Sequence, residues 1–159
     1  MTLSIRPATR ADVPTILGFV RDLAAFERAP DAVEATEAML ENALFAERAA
    51  EAVIAERGGA AVGFALFFHN FSTWTGRKGL YLEDLYVAPE ARGSGVGTAL
   101  LRHLARLAVE RGCGRFEWAV LDWNQPAIDF YTAQGAEMQA DWRIERVTGK
   151  ALARLAGRE

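Results

Sequence analysis

A glycine-rich stretch just past the middle of the chain reads Arg92-Gly93-Ser94-Gly95-Val96-Gly97-Thr98. It lies between the apolar run Leu80–Val87 and a long amphipathic pattern, which predicts a strand-to-helix junction. Three glycines in five residues leave backbone N–H groups accessible, and the positive end of the helix dipole adds to their attraction for an anion. We therefore expect this stretch to bind a pyrophosphate. The alternative is a flexible turn that only precedes a helix.

Two widespread glycine motifs do not match this stretch. A nucleotide-binding P-loop requires Gly-Lys-Ser/Thr, and no lysine lies near these glycines. A dinucleotide-binding fingerprint requires a third glycine where this chain has Thr98. It also requires its first glycine tight against the strand, whereas the five residues Ala88–Arg92 intervene here. Spacing therefore excludes both motifs.

The arrangement Arg-x-x-Gly-x-Gly, formed by Arg92, Gly95 and Gly97, resembles the pyrophosphate loop of the GNAT acetyltransferases. The run Leu80–Val87 resembles the fourth strand of that family, and Asp122–Tyr131 resembles its late strand–helix unit. The motifs Leu-Glu-Asp, Trp-Asn-x-Pro and Asp-Phe-Tyr are most similar to those of the diamine (spermidine/spermine) N-acetyltransferase branch. The likeness covers about residues 1 to 30 and 78 to 145.

This resemblance implies acetyl-coenzyme A (acetyl-CoA) as co-substrate. In the family, backbone N–H groups of the fourth strand bind the pantetheine arm and thioester, and the glycine loop binds the pyrophosphate. We expect Asn124 to cap the helix that follows it, and the resemblance adds a contact with the pantetheine arm. The implied acetyl-CoA positions are Leu85, Tyr86, Val87, Arg92, Gly93, Ser94, Gly95, Val96, Gly97, Thr98 and Asn124. For Arg92 the alternative is an exposed arginine at a helix start.

Composition excludes several other classes of protein. At 159 residues, the chain is most simply one domain, residues 1–159. The net charge is −3 without a basic block, which argues against a nucleic-acid partner, and no apolar run approaches a membrane span. A single cysteine, Cys113, cannot form an internal disulfide, which favours the reducing cytoplasm. No cluster of metal ligands is visible, and the resemblance implies a homodimer.

Hydrophobic periodicity predicts the order β-α-α-β-β-β-α-β-α-β, an α/β domain with a mixed sheet. The resemblance implies a GNAT-like fold, in which a mostly antiparallel, twisted sheet is flanked by helices. The predicted elements are strand Leu3–Arg6, a first helix that begins near Thr9–Asp12, helix Thr36–Glu47, strands Ala52–Ala55 and Ala61–His69, loop Asn70–Lys78, strand Leu80–Val87, helix Val96–Arg111, strand Arg115–Leu121, helix Gln125–Gln134, strand Met138–Val147 and a tail helix from Thr148.

Two adjacent acids, Glu83 and Asp84, interrupt an otherwise apolar strand. Strict alternation predicts that they face opposite sides of the sheet. Because an unpaired buried carboxylate is costly, each is expected to have a chemical task or an arginine partner. In the diamine branch, the position that matches Glu83 is implicated in substrate binding and amine deprotonation. An acid would matter because an alkyl ammonium of pKa about 10.4 costs roughly 4.6 kcal/mol to deprotonate at pH 7.

Tyr131 is the second catalytic candidate. From spacing alone it could be a core aromatic residue beside Phe130, whereas in the family the matching tyrosine lies beside the coenzyme sulfur. A phenol near pKa 10 can protonate the departing thiolate, whose pKa is about 8.5–9. Cys113 lies in a turn-like Gly-Cys-Gly with no histidine near it in sequence, so it is not expected to be the nucleophile.

These residues predict an N-acetyltransferase whose acceptor is a small cationic primary amine, either a di- or polyamine or a lysine-like amino acid. Glu27 matches an acid that holds a second ammonium in the diamine branch, although Phe26 stands where polyamine members carry a tyrosine. Substrate-binding positions are then Glu27, Glu83 and Trp118, with core packing as the alternative for the tryptophan. The alternative functions are a protein or peptide N-acetyltransferase and a non-catalytic acyl-CoA sensor.

Overall fold

The computed structural model describes residues 1–158. Within that range the elements are β1 Leu3–Pro7, α1 Val13–Phe26, α2 Glu37–Glu41, β2 Glu51–Arg57, β3 Ala60–Ser72, β4 Arg77–Val87, α3 Val96–Glu110, β5 Phe116–Trp118, α4 Gln125–Ala133 and α5 Gly149–Leu155. Short 3-10 turns lie at Arg10–Asp12, Pro30–Ala32 and Pro89–Ala91, and a π-helical turn extends α2 over Asn42–Ala46. Contacts divide the chain into two compact units, Met1–Leu121 and Asp122–Glu159, and each is described separately.

The sheet of the first unit has the spatial order β1-β2-β3-β4-β5. Neighbours from β1 to β4 pair antiparallel, and β5 joins β4 in parallel. This confirms the predicted α/β fold with a mixed, mostly antiparallel sheet. The β5 pairing extends only over Leu80–Leu82 of β4. In the described sheet, the end of β4 from Glu83 to Val87 is therefore paired on its β3 side alone.

Helices cover the two faces of this sheet. On one face, Ile16 of α1 and Phe64 of β3 are fully buried in a cluster that also contains Tyr86 of β4. On the other face α3 approaches β3 closely, because a Cβ atom built on Gly63 would lie 3.3 Å from the side chain of Val96. Packing on both sides fixes the position of β4, which carries most of the candidate site residues.

The start signal predicted near Thr9 is confirmed. The backbone N–H of Thr9 donates to the carboxylate of Asp12 at 2.7 Å, and the Arg6 guanidinium donates to both Asp12 oxygens at 2.7 and 2.8 Å. The Arg6 contact lowers the pKa of Asp12 to about 2. Arg6 also pairs with Glu56 of β2. These contacts join β1, β2 and the turn that leads into α1.

The predicted strand Met138–Val147 is wrong, because no strand forms there in the described residues. Its apolar side chains are largely exposed: Met138 is 60% exposed and Ile144 is 72% exposed. Alternating polarity predicts a strand only where a sheet edge accepts the segment.

Other predicted bounds shift by a few residues. The predicted loop Asn70–Lys78 is mostly strand, since β3 continues to Ser72 and β4 begins at Arg77. The predicted strand Arg115–Leu121 shortens to β5, and the predicted second helix divides into α2 and the π-helical turn. Cross-strand pairing explains the first shift, because it extends a hairpin through residues of low strand propensity.

Candidate active site

The glycine loop has the backbone conformation that its composition predicts. Gly93 and Gly95 have φ angles of +75° and +88°, a left-handed region that side-chain-bearing residues rarely adopt. Gly95 is the N-cap of α3, and no side chain caps this helix end. The first backbone N–H groups of an α-helix lack intrahelical acceptors. The loop and the start of α3 therefore offer a set of donors suited to an anion.

The free edge of β4 offers a second set of backbone groups. The N–H of Ala88 donates to the carbonyl of Val62, at 2.8 Å, so the backbone of Ala88 faces β3. Because backbone groups alternate along an antiparallel strand, those of Tyr86 also face β3, whereas those of Leu85 and Val87 face away from it. Of the three predicted backbone donors, Leu85 and Val87 thus lie on the free edge, and Tyr86 does not.

The Arg92 side chain turns towards β4. Its Nε atom donates to the carbonyl of Val87 at 2.9 Å. Its guanidinium carbon lies 5.5 Å from the ring centroid of Tyr86 and 5.8 Å from that of Phe26. In this conformation Arg92 links the glycine loop to the ends of β4 and α1.

A β-bulge lies at the two acids of β4. Leu66 and Phe67 are consecutive on β3 but lie opposite Asp84 and Leu82, so Glu83 is the extra residue. The bulge interrupts the alternation that predicted opposite faces for the two acids. Asp84 lies two residues before Tyr86 in the strand, and therefore on the face that α1 covers.

Asp84 is the titratable group most strongly perturbed in this region. Burial, together with the negative charges of Glu83 and Glu27, raises the pKa of Asp84 to about 6. The pKa of Glu27, the residue that follows α1, is also raised by partial burial. Within residues 1–158 no arginine forms an ion pair with Asp84. The arginine partner that the sequence offered as an alternative is therefore not found there. The sequence predicted a chemical task or an arginine partner for Asp84, because an acid interrupts an apolar strand there, but it assigned the site role to Glu83 alone.

Trp118 belongs to the same unit. It lies on β5 in register with Leu82, the residue that precedes the bulge. Its half-buried ring packs edge-on against Phe116, with 4.9 Å between the ring centroids. The residue therefore lies beside the acidic part of β4 in the sheet, while part of its surface is used in packing.

The second unit contains Asn124 and Tyr131. Asn124 caps α4, and its side-chain oxygen accepts from the backbone N–H of Ala127, at 3.4 Å, as predicted. Tyr131 lies near the end of α4, half-buried, with its ring centroid 5.4 Å from that of Phe130.

Cys113 lies beyond the C-terminal end of α3, whereas the glycine loop precedes the N-terminal end. A helix of 15 residues separates the two by about 22 Å. Within residues 1–158 no group of three His, Cys, Asp or Glu side chains has a metal-binding arrangement, and no helix is long and apolar enough to cross a membrane.

Comparison with known proteins identifies the family. A model of the Acetyltransferase (GNAT) family matches residues 17–136. The thialysine N-epsilon-acetyltransferase of Sus scrofa is 39% identical over 97% of both chains. The spermidine/spermine N(1)-acetyltransferase-like protein 1 of Homo sapiens is 36% identical over 98% of this chain and 24% of that one. The solved integron cassette protein VCH_CASS6 from the mobile metagenome of V. cholerae has a TM-score of 0.82 and 27% identity over 98% of each chain. Because the family model spans most of the chain and these relatives align over nearly all of it, the protein belongs to the GNAT acetyltransferase family.

Proposed function

We propose that this N-acetyltransferase transfers the acetyl group of acetyl-CoA directly to the primary amine of a small cationic acceptor. The acceptor class is a di- or polyamine or a lysine-like amino acid. The observation that carries the proposal is the arrangement of β4. This strand carries the acidic bulge and the free edge, and the glycine loop follows it. All three features lie within about fifteen residues of one another in the chain.

Acetyl-CoA fits the backbone groups described above. The loop Gly93–Thr98 and the uncapped start of α3 suit its pyrophosphate, and the free-edge N–H groups of Leu85 and Val87 suit the pantetheine amides and the thioester carbonyl. The bound co-substrate supplies the activated acetyl group. The chain supplies donors that require little rearrangement, because β4 is held by packing on both faces.

The carboxylates favour a cationic acceptor. Glu27, Glu83 and Asp84 interact electrostatically without a neutralising arginine at Asp84 in the described residues. Glu83 accepts the amine proton or organises the water that does so, and Asp84 shares this role because its raised pKa suits a general base. Trp118 forms part of the acceptor wall. The name of the Sus scrofa relative, which specifies thialysine, supports a lysine-like acceptor.

On the side of the leaving group, Tyr131 protonates the thiolate of the coenzyme, and Asn124 contacts the pantetheine arm. Direct transfer in a ternary complex requires no covalent acetyl-enzyme. Cys113 precedes Gly114, whose N–H donates to the carbonyl of Lys78 at 3.0 Å. Lys78 lies seven residues before Leu85 on β4, so Cys113 lies away from the proposed thioester site, which supports direct transfer. The family resemblance also supports a homodimer, which sedimentation equilibrium can test.

A thiol-release assay tests the proposal. The panel of acceptors contains spermidine, putrescine, lysine and thialysine analogues, neutral amino alcohols and N-terminal peptides, each with acetyl-CoA. We expect thiol release with the cationic amines and none with Gly95→Asp, whose carboxylate would lie at the start of α3 and repel a phosphate. Turnover of peptides alone would indicate a protein acetyltransferase, coenzyme binding without turnover would indicate a sensor, and preference for neutral amines would contradict the cationic acceptor.

A further inference from the structure

A second arginine reaches the glycine loop from another strand. Arg57 ends β2, and the turn Gly58-Gly59 that follows it leads into β3. Its Nη1 atom donates to the side-chain oxygen of Ser94 at 3.0 Å. The Ser94 hydroxyl in turn donates to the carbonyl of Ala91. Arg57 is thus held against the loop by a hydroxyl whose own orientation is fixed.

In the part of the chain that the structure describes, the charge of Arg57 is not neutralised by an ion pair. Within residues 1–158 no carboxylate forms an ion pair with it, although the adjacent Glu56 pairs with Arg6. Among residues 1–158 the side-chain hydrogen-bond partner of this guanidinium is the neutral hydroxyl of Ser94. Four of its five N–H donors are not used in that contact and can serve an anion.

The arginine within the loop has a different partner. The Arg92 Nε donates to Val87, and its guanidinium lies over two aromatic rings, so this side chain is directed to β4 and α1. The positive side chain directed to the loop itself comes from Arg57, which is 37 residues away from Ser94 in sequence.

We propose that Arg57 binds the diphosphate of the acyl donor together with the backbone donors of Gly93–Thr98. This rests on the proposed function, in which that loop holds acetyl-CoA. The backbone N–H groups orient the diphosphate, and Arg57 adds the full positive charge that the loop lacks. Ser94 is a positioning residue, because it directs the guanidinium.

The experiment compares three acyl donors in wild type and in Arg57→Gln. Acetyl-CoA contains the diphosphate and the 3′-phosphate, acetyl-dephospho-CoA contains the diphosphate alone, and S-acetylpantetheine contains neither. We expect Arg57→Gln to raise KM for the first two donors about tenfold with little change in kcat, and to leave kcat/KM for S-acetylpantetheine unchanged. Arg57→Lys, which keeps the charge, should recover part of the loss.

The other outcomes overturn the proposal. An equal loss with S-acetylpantetheine would show that Arg57 only supports the fold near the site. A loss with acetyl-CoA alone would assign Arg57 to the 3′-phosphate, and an unchanged KM for all donors would remove it from binding. Arg77→Gln is the matched control, because Arg77 is the exposed first residue of β4, about 33 Å along the strand from Val87. If the kcat/KM of wild type were the same for S-acetylpantetheine and acetyl-CoA, the proposed function would fail instead, because the glycine loop would then contribute nothing to binding the acyl donor.

Discussion

At the scale of single residues, Asp84 has the most informative environment. Its pKa is raised to about 6 because burial and two neighbouring carboxylates disfavour its charged form. A raised carboxyl pKa destabilises the folded protein once the group ionises. Residues that reduce stability in this way are often kept for function.

We expect Asp84→Asn to change both the pH profile and the stability. For a cationic acceptor, kcat/KM in wild type should fall more steeply below pH about 6, where Asp84 becomes neutral, and the variant should lack this extra fall. Stability should respond in the opposite direction. In wild type, protonated Asp84 stabilises the folded state at low pH, and this stabilisation is lost as the pH rises through about 6. The variant should therefore resist urea better than wild type at pH 8. A variant with an unchanged pH profile would remove Asp84 from acceptor binding.

Tyr131 can be tested by removing one oxygen atom. Tyr131→Phe keeps the ring that packs near Phe130 and removes the hydroxyl that would protonate the thiolate. We expect kcat to fall by roughly 10²–10⁴ while coenzyme affinity, measured by calorimetry, is retained. A wild-type rate would exclude Tyr131 as the acid, and lost affinity would instead indicate a binding role.

At the scale of elements, the approach of β3 to β4 and α3 determines where the free edge of β4 lies. A Cβ atom on Gly63 would be 2.7 Å from the backbone carbonyl oxygen of Tyr86 and 3.3 Å from the Val96 side chain. Because a backbone oxygen cannot rotate away, the strands or α3 would have to move.

We expect Gly63→Ala to lower the free energy of unfolding by about 1–3 kcal/mol and to raise KM for acetyl-CoA. Urea denaturation and steady-state kinetics measure the two effects. Gly18→Ala is the control, since an added Cβ at Gly18 in α1 would meet nothing within 4 Å beyond its chain neighbours and its own helix backbone. This change should be neutral or stabilising by up to about 1 kcal/mol. Equal effects of the two substitutions would contradict the role assigned to Gly63.

At the scale of the whole molecule, two carboxylates make the free energy of unfolding depend on pH in opposite directions. Asp84 favours folding at low pH, whereas Asp12, whose pKa is lowered to about 2 by Arg6, favours folding above its ordinary pKa. The Asp12 term is lost as the pH falls through about 2. Because the Arg6 side chain is 38% exposed, solvent screening reduces this term.

We therefore expect Asp12→Asn to lower the free energy of unfolding by about 1 kcal/mol at pH 7, with the difference shrinking below pH 4. The asparagine can still accept the Thr9 N–H, but it loses the charge and one of the two oxygens that accept from Arg6. Asp22→Asn, at an exposed position of α1, should leave the stability nearly unchanged. A difference that persists undiminished at pH 3 would contradict the ion-pair origin.

Local patterns predicted much of this molecule. The turn Gly58-Gly59 between two strands, the start of α3 and the cap at Asn124 are all confirmed, because each depends on residues adjacent in sequence. Predictions were wrong where pairing partners decide the outcome. Met138–Val147 alternates like a strand but pairs with no strand in the described residues, and the bulge at Glu83 arises from the register with β3.

The sequence by itself determined the family, the order of most elements and the position of the glycine-rich loop, since glycine spacing and hydrophobic periodicity are local properties. Only the tertiary structure decided which charged groups act on one another. It directs Arg92 to Val87, brings Arg57 to Ser94, and gives Asp84 the raised pKa that sequence did not predict. The physical reason is that burial and Coulomb interactions depend on distances in space, and residues 27 and 84 or 57 and 94 become neighbours only when the sheet and helices pack.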